Sequence, residues 1–115
     1  METAQTLLIL TSLRDEASAR TLAKGLIEFR LAACINILAP CTSVYRWQGA
    51  IEEAREFPVL IKSTENRYAA LEGAIRAAHP YELPEIIAVP IAHGLPAYLD
   101  WVATESRPAT PESAS

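Results

Sequence analysis

Three strand-sized stretches of this sequence fail to alternate apolar with polar residues: TLLIL at 6–10, PVLI at 58–61 and EIIAVPI at 85–91. A strand with one face in water shows period-two alternation, whereas a run apolar at successive positions needs cover on both faces. The segments between these runs must supply that cover. They hold two full-length helices and one short one, so the cover is the limiting resource.

The first helical pattern is SLRDEASARTLAKGLIEFR, in which Ala19, Leu22, Ala23, Leu26 and Ile27 recur at helical spacing. Ser12 and Asp15 have the S-x-x-D spacing of a capping box, with Asp in place of Glu. Gly25 weakens this helix, and close packing against a sheet is its expected reason. LAACINILAPCTSVYRW (31–47) is rich in β-branched and aromatic residues and reads as a second strand. Pro40 interrupts it, since proline lacks the donor a ladder needs. QGA (48–50) offers a turn, and IEEAREFPVLIKS (51–63) returns as a third strand. TENRYAALEGAIRAAHP (64–80) is a second helix with Tyr68, Leu71, Ile75 and Ala78 on its stripe, ending near His79 because the residue before a proline avoids the α region. A fourth strand covers 85–94 and a short helix 95–106, with Pro96 in its first turn. The order βαββαβ plus a terminal helix predicts an α+β, ferredoxin-like sandwich with a long central hairpin. Residues 1–106 form the domain, and 107–115, rich in Pro, Ser and Ala, form a flexible tail.

Two helices cover one face of a four-stranded sheet, and the third is too short to cover the other. Other copies of the chain are the simplest cover, which predicts a homo-oligomer. The hairpin agrees: residues 33–47, fully extended, span about 50 Å, whereas a compact chain of this size is about 35 Å across. It must bend at Pro40 or reach a neighbour, and VYRW near its tip supplies anchors typical of interfaces.

Composition narrows the function classes. One domain is expected from 115 residues, half of them apolar. The net charge of −4 argues against nucleic-acid binding. No run is long enough to span a membrane, and the first residues lack the basic start of a signal peptide. Cys34 and Cys41, six residues between them, fit neither a zinc knuckle nor a redox pair. A reducing cytoplasm is the default compartment. No GxGxxG, Walker loop, HExxH or GxSxG occurs, so the chain is not expected to be an enzyme and no catalytic residue is assigned.

The chemistry concentrates in HPYELPEI, 79–86. Pro80 and Pro84 stiffen this loop, placing His79, Tyr81 and Glu85 in a repeatable geometry. Three roles are open to His79: a cap on the preceding helix, a wall of an inter-subunit pocket, or a metal ligand. Tyr81 packs at a subunit contact, and Glu85 is expected in an ion pair. Lys62 is either a solvated strand end or an anion ligand facing the loop. Trp47 is expected as an interface anchor, and Tyr98 and Trp101 as a patch holding the last helix.

LAACINI, SVYRWQG, LIKS, HPYELPEIIAVPI and PAYLDW follow one another here in the order and spacing of the CutA family, the divalent-cation tolerance proteins. The chain resembles that family over about residues 6–105. The resemblance implies a small homotrimer similar in architecture to the PII-type signal transducers, linked in bacterial members to tolerance of copper and other divalent ions, with no settled enzymatic activity. It implies an inter-subunit pocket of Trp47, Lys62, His79, Tyr81 and Glu85, no obligatory cofactor, and a divalent metal ion such as copper as a ligand, with His79 its candidate residue. Some members have a cysteine late in the first strand and a second histidine before HPY; here those positions are Thr11 and Ala78. A PII-like small-molecule sensor and a ligand-free trimeric scaffold are the alternative readings.

Overall fold

In the computed structural model, which describes residues 4–109, one long strand organises the sheet. The elements are β1 (Thr6–Leu13), α1 (Glu16–Glu28), β2 (Cys34–Ile37), β3 (Cys41–Trp47), β4 (Ala50–Thr64), a 3₁₀ turn (Glu65–Arg67), α2 (Tyr68–Ala78), β5 (Ile87–Pro90) and α3 (Pro96–Glu105). The sheet runs β2-β4-β1-β5, with β3 on the outer half of β4. All pairings are antiparallel. The fold is mixed α/β, with three helices on an antiparallel sheet.

The expected strand 31–47 is two strands, β2 and β3, separated at 38–40 as Pro40 requires. They pair with successive lengths of β4, β2 at Val59–Lys62 and β3 at Ala50–Glu56. The bend therefore falls between β2 and β3, while β4 runs on as a 15-residue strand. The β3–β4 arm stretches the long axis to 49 Å. Its turn has Gln48 at φ 50° and Gly49 at φ 83°. Both central residues are left-handed, the geometry that matches strand twist, and glycine meets that demand without a Cβ clash.

Several local expectations change. Asp15, and not Ser12, caps α1: its side chain accepts the Ser18 N–H at 2.7 Å, while Ser12 lies in β1. Gly25 packs against nothing, for a Cβ there would meet no atom within 4 Å. It lines an open groove of about 440 Å³ between α1 and α2. The fourth strand shrinks from 85–94 to Ile87–Pro90 because its ladder with β1 covers only Leu7–Leu10. At the start of the expected tail, the Arg107 carbonyl accepts from Arg30 Nε at 2.6 Å, and Thr104 O accepts from the same guanidinium at 3.1 Å. The rest of that tail beyond Ala109 lies outside the described residues.

The pleat sorts the sheet into two faces. On one, Ile35, Ile61 and Ile9 form a row, and with Leu7, Leu13 and Val59 they pack under Leu22, Leu26, Leu71 and Ile75 of α1 and α2. On the other, the rows are Cys34–Lys62–Leu8–Val89 and Asn36–Leu60–Leu10–Ile87. Here Tyr98 of α3 reaches Cys34 and its phenol pKa is raised, by burial first and then by that thiol. α3 shelters only part of this face; Ile87 stays 52% exposed and Val89 47% exposed.

Candidate functional site

A cleft of about 830 Å³ opens where the arm meets the loop after α2. Its walls come from three places: Ser12 and Arg14 at the end of β1, Ser43 to Trp47 with Glu52 and Glu56 on the arm, and Pro80 to Leu83 with Glu85 on the loop. Three of the five residues expected to share a pocket, Trp47, Tyr81 and Glu85, line this one cleft. Lys62 does not. It sits on the open sheet face beside Cys34 and Leu8, and its ammonium donates to Asn36 Oδ1. Period-two geometry sends it there, since Ile61 before it fills the core.

His79 lies beneath the cleft, 8% exposed. Thr6 O accepts from Ile91 N, so the even-numbered carbonyls of β1 face β5. β5 ends opposite Leu10 and leaves Ser12 O past its last rung. His79 Nε2 meets that carbonyl at 2.7 Å. The Tyr81 N–H donates to His79 Nδ1 at 3.2 Å. An acceptor at Nδ1 and a donor at Nε2 define the neutral Nε2–H tautomer. Of the three roles open to this residue, the single chain gives it a structural one close to a cap, although the carbonyl it satisfies belongs to a strand and not to α2. An ion ligated by this ring would have to displace one of the two bonds.

Tyr81 stacks edge-on against His79, ring centroids 4.6 Å apart. The Arg14 guanidinium lies over the same tyrosine ring, 5.0 Å from the centroid. The Tyr81 hydroxyl is buried, and the Glu56 carboxylate and the Arg14 guanidinium are the side chains that act on it. Burial first, then hydrogen bonding to the Glu56 carboxylate, raise its pKa against a smaller opposing effect of Arg14, so the group is a neutral phenol. Glu85, expected in an ion pair, is exposed on the rim and forms none among the described residues. Thr11 is buried under the helices with its hydroxyl unpartnered, and Ala78 ends α2.

Arg14, Glu52 and Glu56 were not singled out by the sequence reading. Their alternation with arm residues was the available signal: Glu52 and Glu56, four apart on one strand, share a face. Nothing in the sequence brings Arg14 to Tyr81.

A protein-family model described as CutA1 divalent ion tolerance protein matches residues 7–105. The chain belongs to this family. The divalent-cation tolerance protein CutA of Thermus thermophilus is 48% identical over 94 residues, covering 82% of this chain and 91% of that protein. The crystal structure of CutA from Xylella fastidiosa superposes with a TM-score of 0.87 at 41% identity, covering 90% of this chain and all of that one (100%). A structure described as the periplasmic divalent cation tolerance protein CutA of Archaeoglobus fulgidus has a TM-score of 0.85 at 35% identity, covering 89% of this chain and 99% of its own. Membership in the CutA1 family accounts for the order of motifs from LAACINI to PAYLDW. Among the described residues no helix is long and apolar enough to cross a membrane.

Proposed function

We propose that this chain acts in divalent-cation tolerance as a homotrimer, with the β2-plus-β3 length and its neighbours read as a ferredoxin-like unit and the trimer as PII-like. The carrying observation is the open sheet face. Leu8, Leu10, Leu60, Ile87 and Val89 lie side by side there; α3 shelters part of this row, and Ile87 and Val89 stay exposed. A contiguous apolar patch rimmed by polar residues marks a contact surface. Sister chains seated on it would also bring their arms against the clefts holding Trp47, Tyr81 and Glu85.

Among the described residues, no three His, Cys, Asp or Glu side chains are grouped so as to hold a metal ion. The ion response is therefore assigned to a seam where two chains supply ligands together. A divalent ion, copper first among them, is the ligand class, and the cytoplasm is the proposed compartment. His79 enters only if its ring gives up the bond to Ser12 O or the one from the Tyr81 N–H. A small-molecule sensor is the second reading, favoured by the aromatic-walled cleft of about 830 Å³.

Light scattering tests the assembly: a mass three times that of the 12.6 kDa chain is expected, and a monomer mass at micromolar concentration removes the seam and the proposal with it. Calorimetric titration with Cu(II) and Zn(II) of the wild type and of His79→Ala tests the ligand. Equal heats place the ion away from this ring, and absent heats in both remove metal binding.

A further inference from the structure

From Glu56 outward, β4 has β3 as its only strand partner among the described residues, because β1 ends opposite Phe57 and β2 opposite Val59. The arm is therefore a two-stranded ribbon cantilevered from the sheet. A ribbon of two strands is marginal by itself and twists more than a wide sheet. Its tip at Ala50 stands about 20 Å beyond Glu56 at strand rise, so a tilt of about 10° at the root moves the tip by about 3 Å. The angle of the arm is set at its root.

Glu56 occupies that root. It pairs with Cys41 on the first rung of the ribbon and is only 9% exposed. Its carboxylate accepts from the buried Tyr81 hydroxyl, and the Arg14 guanidinium reaches the same hydroxyl. Hydrogen bonds to an ionised group are about twice as strong as neutral ones. Tyr81 is thus held at three points. His79 Nδ1 accepts its backbone N–H at 3.2 Å, Arg14 lies over its ring at 5.0 Å, and Glu56 takes its hydroxyl. His79 is tied in turn to Ser12 O at 2.7 Å. The contacts run without a gap from the end of β1, through the loop after α2, to the arm. Farther out, arm and loop face each other across the cleft of about 830 Å³.

We propose that Tyr81 clamps the root of the arm to the loop, so that the setting of the arm and the bonding of the His79 ring depend on one another. Tyr81 acts here as a positioning residue: freeing its hydroxyl loosens the arm, and moving the arm disturbs the ring that its backbone and side chain hold. Such coupling is reciprocal by thermodynamic necessity. It rests on residues of one chain and holds whether or not an ion binds at His79, so the test is run in chelator.

Hydrogen exchange is measured on the full chain for wild type, Tyr81→Phe, Glu56→Ala, Glu56→Gln and the Tyr81→Phe/Glu56→Ala double variant. Protein concentration is matched, since association stabilises the fold by mass action. The clamp predicts that Tyr81→Phe and Glu56→Ala each speed exchange of the β3 amides bonded to β4 by about tenfold, the scale of one hydrogen bond to a charged group, while amides in the β1–β4 ladder keep their rates. Glu56→Gln, which still offers the hydroxyl an acceptor, should stay near wild type. The double variant should be no faster than the faster single one, as expected of two groups in one contact. The ring nitrogens of His79, one of two histidines in the chain, are followed by NMR, and their resonances should shift in Glu56→Ala although that substitution lies on the arm. If Glu56→Ala fails to fold, Tyr81→Phe, which deletes a single oxygen, carries the exchange test alone. Three results overturn the proposal: arm amides that keep the wild-type rate in the folded variants, β3 and β1 amides that speed up by the same factor, or an unmoved His79 ring in Glu56→Ala.

Discussion

His79→Ala is the substitution that most directly tests how the loop 79–85 is held. The ring is buried and bridges two backbone groups, Ser12 O and Tyr81 N. Truncation removes two hydrogen bonds at about 1 kcal/mol each. The Ser12 carbonyl, with no strand opposite it, is then left short of a donor, and a buried unsatisfied acceptor costs about 1–3 kcal/mol. Water entering the vacated space offsets part of this, and loss of the edge contact with Tyr81 adds to it. The expected loss is about 2–4 kcal/mol, read from urea denaturation at equal protein concentration with a chelator present. Concentration must match because association stabilises the folded chain by mass action, and the chelator separates a structural ring from a metal-binding one. His79→Gln, which keeps a donor, should fall between the two. A His79→Ala variant within about 0.5 kcal/mol of wild type in chelator would refute the bridging role.

Two further outcomes test local readings. Asp15→Ala should lower the melting temperature at neutral pH, because the Asp15 carboxylate caps α1 through the Ser18 N–H and its pKa is held below the ordinary 3.8, chiefly by that bond. A depressed folded-state pKa gives stability that is present above the unfolded value and lost as pH falls through the folded one; the gap between variant and wild type should therefore close in acid below 3.8. Gly25→Ala should stabilise the chain by about 0.5–1 kcal/mol in urea melts, since a mid-helix glycine is replaced where no atom obstructs the Cβ. Destabilisation would show that the groove beside α1 is occupied in solution.

Sequence patterns that depend on near neighbours were legible. The helical stripe picked out Leu22, Leu26, Leu71 and Ile75, all in the core. Pro40 marked the break between β2 and β3, and His79 marked the end of α2. Within the candidate site, Trp47, Tyr81 and Glu85 were picked and share the cleft. Lys62 lies apart from that cleft in the single chain, because the IK motif fixes a strand end and only register decides which face that lysine takes. The cap on α1 shifted from the Ser12–Asp15 pair to Asp15 alone because β1 continues to Leu13 and keeps Ser12 in the ladder. Arg14 and Glu56 were not picked, since nothing near them in the chain announces Tyr81.

The sequence by itself determined the element order, the core stripe and the need for cover on both sheet faces, because these follow from periodicity and chain stiffness within a few residues. Only the tertiary structure decided what the His79 ring bonds to. The end of β5 at Leu10 orphans the Ser12 carbonyl 67 residues upstream of the imidazole that meets it. Hydrogen-bond demand of that kind arises from where two strands stop relative to each other, a property of register that no local pattern carries.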